Sequence, residues 1–160
     1  MQLMIDSKMF QSKPTKEEAK HINNRIIKNA VDITLQQLAQ EIISGKTIIP
    51  ALLSSKVNGK VSRTKQCWTS QEVMCIDFDN EKMVDNPDYP HRSKNKKMKV
   101  KDISLSLEEA KDKFKDQAAF IYTSFNHTPE HPKFRVVFVF ENVVTNHHDI
   151  DATLEHYKRM

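Results

Sequence analysis

The feature that most constrains this chain is the apolar run Val73-Met74-Cys75-Ile76, which delivers Asp77-Phe78-Asp79-Asn80 to the point where it ends. A short apolar run of this kind predicts a strand. Strand side chains alternate between faces, so Asp77 and Asp79 point the same way, about 7 Å apart along the backbone. Two carboxylates on one face at a strand end suit a hard divalent cation such as Mg²⁺ or Mn²⁺, its shell completed by water and phosphate oxygens. The same residues also make an ordinary turn, with Asp79-Asn80 opening it and Asp77 incidental. The rest of the chain has to separate these readings.

Its 160 residues, 38% of them hydrophobic, are enough for one core and predict a single domain over residues 1–160. The formal charge of +4 is compatible with a phosphate-bearing partner. Its distribution says more than its size. Arg92, Lys94, Lys96, Lys97, Lys99 and Lys101 lie close together with no acid among them. Such a stretch is either a solvated loop or an electrostatic arm that tracks a nucleic-acid backbone. No apolar run is long enough to span a membrane, and residues 1–10 lack the pattern of a signal peptide. Cys67 and Cys75 have no metal-type spacing, and Cys75 reads as a buried small hydrophobe, so nothing demands zinc or an oxidising compartment. The cytoplasm is the default location.

Residues 1–10 read as a first strand. Thr15-Lys16-Glu17-Glu18 is a capping box opening a helix with Ala19, Ile22, Ile26 and Ala30 on one stripe. Asp32 is placed to cap a second helix carrying Leu35, Leu38, Ile42 and Ile43, with Gly45 as its stop, so residues 15–45 form a helical part. Residues 54–66 are polar, with a turn at Asn58-Gly59, and residues 81–101 form a long polar excursion. Ser106-Leu107-Glu108-Glu109 opens a third helix that buries Leu107, Ala110 and Phe114. Residues 118–124 and 134–140 read as strands joined as an antiparallel pair by the proline-bearing loop 125–133. Asp149 caps a last helix. This mixture predicts an α+β domain on one sheet.

His127, just past one strand, and Arg135, just inside the next, are positioned to lie over one sheet face, where imidazole and guanidinium both bind phosphate. Their ordinary readings are a loop histidine and an edge-strand charge. His131, followed by proline, reads as a loop residue. Glu141 shares Arg135's face by alternation and is either a third metal-binding carboxylate beside Asp77 and Asp79 or a polar strand end.

Taken in order, these blocks resemble the archaeo-eukaryotic primase superfamily, in particular the primase-polymerase domains of plasmid and phage replication proteins. The resemblance rests on Trp68-Thr69-Ser70-Gln71-Glu72-Val73 leading into Ile76-Asp77-Phe78-Asp79-Asn80. It rests equally on Tyr122-Thr123-Ser124-Phe125-Asn126-His127-Thr128-Pro129-Glu130-His131-Pro132-Lys133-Phe134-Arg135-Val136-Val137-Phe138, closed by Glu141, and on Ile43-Ser44-Gly45-Lys46-Thr47 upstream. It covers residues 35–141. It implies an RRM-like, palm-like catalytic sheet over residues 71–141 that performs template-directed nucleotidyl transfer with two metal ions, Mg²⁺ or Mn²⁺. Asp77, Asp79 and Glu141 match the family's catalytic metal-binding acids, and His127 matches the histidine on the incoming nucleotide's phosphates. Arg135 and Lys133 become further phosphate contacts. The implied partners are a single-stranded DNA template, nucleoside triphosphates and a replicative helicase. Related catalytic domains continue beyond the point matching Met160, so the chain reads as a C-terminally shortened form. The alternative is a non-catalytic nucleic-acid-binding module derived from a primase domain, using Arg92, Lys94, Lys96 and Lys97. An initiator nuclease acting through Tyr157 would need a His-apolar-His metal motif, and the adjacent His147-His148 does not supply it.

Overall fold

A computed structural model describes residues 1–54, 56–88 and 97–159. The chain folds as two compact units, Met1–Cys75 with Phe138–Met160, and Ile76–Val137. The secondary structure is α+β, with antiparallel strand pairing.

In the first unit, β1 (Gln2–Met9) lies between β2 (Ala30–Asp32) and β3 (Lys46–Ile49). Leu3, Met4, Ile5 and Asp6 are buried in succession, so both faces of β1 are covered. α1 (Lys16–Ile26) packs on β1 through Ile22 and Ile26, and Met4, Ile26, Ile49, Ala51 and Leu53 form a core. Asp6 has 0% exposure and accepts from Arg25 Nε at 2.7 Å and Nη2 at 2.6 Å. A carboxylate withdrawn from water needs such partners, and the planar guanidinium fork supplies them in one side chain.

The helix ends follow local chemistry. Thr15 and Glu18 form the expected capping box. α1 stops short of Ala30 because Asn29 turns to β1, donating from Nδ2 to Ile5 O at 2.8 Å while its own carbonyl accepts from Ile5 N at 3.1 Å. α2 (Leu35–Ile43) is capped by Thr34, with Gln37 completing the box, and not by Asp32. Asp32 belongs to β2, and its Oδ1 is taken by the Met1 ammonium at 2.9 Å. Gly45 follows α2 at φ +89°, the left-handed turn that suits a helix end.

β4 (Leu52–Leu53) pairs with β5 (Trp68–Phe78), and Asn58 and Gly59, both at positive φ, make the expected turn between them. The fully buried thiol is Cys67; Cys75 is only partly covered. α4 (His147–Arg159) starts earlier than expected. Asn146 Oδ1 accepts from His148 N at 3.1 Å in the capping role assigned to Asp149, which falls within the first turn.

In the second unit, residues expected as a polar excursion include a hairpin of β6 (Glu81–Asp85) and β7 (Lys97–Lys101). Its register sets Glu81 opposite Lys101 and Asp85 opposite Lys97, with Val84 opposite Met98. Cross-strand charge pairs help hold this ribbon, whose only apolar alternation is Met98 and Val100 within the basic β7. Arg92, Lys94 and Lys96 lie outside the described residues. α3 (Leu107–Phe114) has the expected Ser106/Glu109 box and buries Ala110 and Phe114, with Leu107 half-buried. β8 (Phe120–Thr123) pairs with β9 (Phe134–Val144), setting Tyr122 opposite Arg135. The strand order of the larger sheet is β4-β5-β9-β8. Phe78 stacks on Phe134 at 5.0 Å between centroids and lies 5.9 Å from Phe114, giving this unit an aromatic centre. Among the described residues, no helix is long and apolar enough to cross a membrane.

A Cβ at Gly45 would collide with the Phe10 carbonyl and would sit on a left-handed backbone. Gly45→Ala is therefore expected to destabilise the protein by roughly 1–3 kcal/mol or more. Urea denaturation checks this, and an unchanged midpoint would contradict it.

Candidate functional site

The end of β5 keeps the expected alternation. Phe78 turns into the aromatic centre, while Asp77 and Asp79 are exposed. The turn that follows is held by Asn80, at φ 50° and 4% exposure. Its Nδ2 donates to Leu105 O and Pro132 O, both at 2.8 Å. Its Oδ1 accepts from Ser104 N at 3.1 Å and Leu105 N at 3.2 Å. Asparagine tolerates the left-handed region and carries both donor and acceptor, so one side chain satisfies the backbone of two neighbouring segments. His131, read from sequence as a loop residue, braces the same turn. Its Nε2 lies 3.1 Å from Asp79 O and 3.0 Å from Asn80 O, and because carbonyls only accept, this nitrogen carries the proton.

Beyond the turn, acids and bases alternate across neighbouring strands. Asp77 Oδ1 accepts from Arg135 Nε. Arg135 Nη1 donates to the Tyr122 hydroxyl at 3.3 Å. Burial acts against the Arg135 charge, but the bonds to Asp77 and Tyr122 outweigh it and hold its pKa above the ordinary arginine value. Asp79 Oδ2 lies 3.7 Å from Lys99 Nζ, which also contacts Glu81 Oε2 at 2.8 Å. Glu81 Oε1 accepts from Lys133 Nζ. The Lys133 bond, followed by the Lys99 bond, pulls the Glu81 carboxyl down from 4.5 to about 2. Lys99 is pushed up in return, mainly by its bond to Glu81.

His127 is half-buried, and its Nδ1 accepts from the backbone N–H of Lys133 at 3.2 Å. In the neutral ring this selects the tautomer with Nε2–H, a donor suited to an anionic oxygen. Asp77, Asp79, His127, Lys133 and Arg135 all belong to the second unit, whereas Glu141 lies on the exposed end of β9 in the first. Lys97 is on the β6–β7 hairpin, 3.6 Å from Asp85.

The donor set bears directly on metal binding. Asp77 and Asp79 supply the hard oxygens that Mg²⁺ or Mn²⁺ prefers, and a pair of carboxylates fits a cation whose remaining positions go to water and phosphate. Among the described residues, no three of His, Cys, Asp or Glu converge as a ready metal cage. Sequence reasoning missed Glu81 and the bracing role of Asn80, and placed Lys99 only within the basic stretch, without its carboxylate partners. Alternation offered a partial signal, since Glu81 continues the i, i+2 series from Asp77 and Asp79 and Lys99 alternates with Lys97 and Lys101.

Asn80→Asp keeps the backbone preference but aims oxygens at the Leu105 and Pro132 carbonyls. It is expected to cost about 2–4 kcal/mol, read as a lower urea midpoint; a neutral effect would remove the bracing role. The Glu81 carboxyl is held below its ordinary value, so the stability it contributes is complete above about pH 4.5. That stability fades as pH falls towards 2. The stability gap between wild type and Glu81→Gln should therefore shrink between pH 5 and pH 2, a range set by those two pKa values. A constant gap would show that the pairing contributes nothing pH-dependent. No protein family, curated protein or solved structure matches the chain.

Proposed function

We propose that the chain is a primase-polymerase-like domain that performs template-directed nucleotidyl transfer during replication of a plasmid, phage or other mobile element. The observation that carries this reading is the grouping of the exposed Asp77–Asp79 pair with phosphate-type cations Arg135, Lys133 and Lys99 in one unit. Nucleotidyl transfer needs both charges together: carboxylates for divalent cations and fixed cations for a triphosphate. Asp77 and Asp79 would hold Mg²⁺ or Mn²⁺. Bound metal would supply activation of the attacking 3′-hydroxyl and stabilisation of the leaving pyrophosphate.

The chain's own residues orient the substrate. Arg135 presents a planar fork to phosphate oxygens and is steadied by the Tyr122 hydroxyl. Lys133 is fixed at both ends, its backbone N–H on His127 and its ammonium on Glu81. His127 then faces an anion with Nε2–H. Single-stranded DNA is the proposed template, nucleoside triphosphates the substrates and a replicative helicase a further partner.

A second reading, a non-catalytic nucleic-acid-binding module derived from a primase domain, is favoured by the pairing of Asp77, Asp79 and Glu81 with internal bases. In that reading the basic stretch Arg92, Lys94, Lys96 and Lys97 provides the contact, and binding falls steeply with salt but ignores metal.

Purified protein given Mn²⁺ or Mg²⁺, single-stranded template and nucleoside triphosphates is expected to make or extend primers. Asp77→Ala combined with Asp79→Ala should abolish the product, a loss of at least about 10³-fold. If the wild type makes nothing while salt-sensitive DNA binding persists in both proteins, the second reading stands instead.

A further inference from the structure

We infer that Glu81 is an internal stand-in for phosphate, holding Lys133 and Lys99 until a polyphosphate displaces it. Glu81 is 15% exposed and Lys133 12% exposed, so their pair is largely withdrawn from water. Lys99 reaches the other Glu81 oxygen from β7. One carboxylate thus sits between ammonium groups from β7 and from the residue just before β9, in the arrangement a phosphate group takes between lysines. Carboxylate and phosphate oxygens make the same demand on an ammonium, so they compete for it.

The competition has a direction. Glu81 is tethered to the strand beside its partners and carries one negative charge. A monoanion brings no greater charge and loses freedom on binding, whereas a polyphosphate brings several charges against the single one of Glu81. The pairing therefore sets a threshold that favours di- and triphosphates over small monoanions. It also keeps Lys133 ordered when no ligand is bound, because a largely buried ammonium without a partner is unfavourable. This inference rests on the reading of Lys133 as a phosphate contact and extends it to a residue for which that reading has no role.

The test is pyrophosphate binding in metal-free buffer containing a chelator, followed by calorimetry. Glu81→Gln keeps the shape and the hydrogen-bonding oxygen but removes the competing charge, so its affinity should rise about tenfold at low ionic strength. In a Lys133→Gln background the same substitution should give little gain. A residue with only a structural role would lower affinity when changed. If Lys133→Gln weakens binding while Glu81→Gln leaves it unchanged or weaker, the stand-in role is overturned and the phosphate role of Lys133 stands. If pyrophosphate binds no variant, or binds without regard to Lys133, both fall, and the primer assay separately decides the catalytic reading. Should Glu81→Gln fail to fold, the wild type answers through carboxyl-carbon NMR. The Glu81 resonance should move as pyrophosphate saturates the protein, and a stationary resonance overturns the inference.

Discussion

The candidate site depends on the buried side chain of Asn80. Strand alternation alone would carry Asp77, Asp79 and Glu81 along one straight edge, but the chain bends between Asp79 and Glu81 at a left-handed residue. That bend persists because Asn80 bonds to backbone groups of Ser104, Leu105 and Pro132, while His131 holds the carbonyls at the turn. The turn thus joins the end of β5 to the segment before α3 and to the residue preceding Lys133. Each of those elements contributes to, or adjoins, the array of acids and bases. A loose turn would let Asp79 and Glu81 drift relative to Lys99 and Lys133, and ion pairs reward only well-held geometry.

The array itself is nearly self-neutralising. Arg135 and Asp77 are substantially exposed, so their pair is screened by water and contributes modestly to stability. Glu81 and Lys133 are mostly covered, and for them separation without replacement leaves a charge in poor solvent. One end of the array therefore exchanges partners readily, while the other changes only when an equally good anion arrives.

How legible this was in the sequence depended on whether one residue's neighbours were local. The outward face of Asp77 and Asp79, the capping boxes at Thr15 and Ser106 and the antiparallel β8–β9 pair all follow from spacing within a few residues, and all appear in the fold. Asp32 failed as a cap because a distant group, the Met1 ammonium, claims it, leaving Thr34 to cap α2. The β6–β7 hairpin was read as a polar excursion because β6 shows no apolar alternation and the alternating Met98 and Val100 of β7 sit within a run of bases. Glu81 carried only its place in the i, i+2 series, because its meaning lies in Lys99 and Lys133, one across a hairpin and the other across the unit.

The primase-like and the purely binding readings differ less in architecture than in one event. The first requires an anion to meet Lys133 and Arg135 and Asp77 and Asp79 to be released to a metal; the second leaves those pairs closed and binds through the basic stretch Arg92, Lys94, Lys96 and Lys97. The internal pairs couple these requirements. A phosphate that draws Arg135 away from Asp77, or Lys99 away from Asp79, leaves a carboxylate without its cation and so raises its attraction for a divalent ion. Metal bound at the aspartates would in turn loosen the same bases for phosphate, since coupling between two ligands is reciprocal. In the proposed nucleotidyl-transfer reading, a site wired in this way would resist either ligand alone and accept the two together, the form in which a nucleoside triphosphate arrives with its cation.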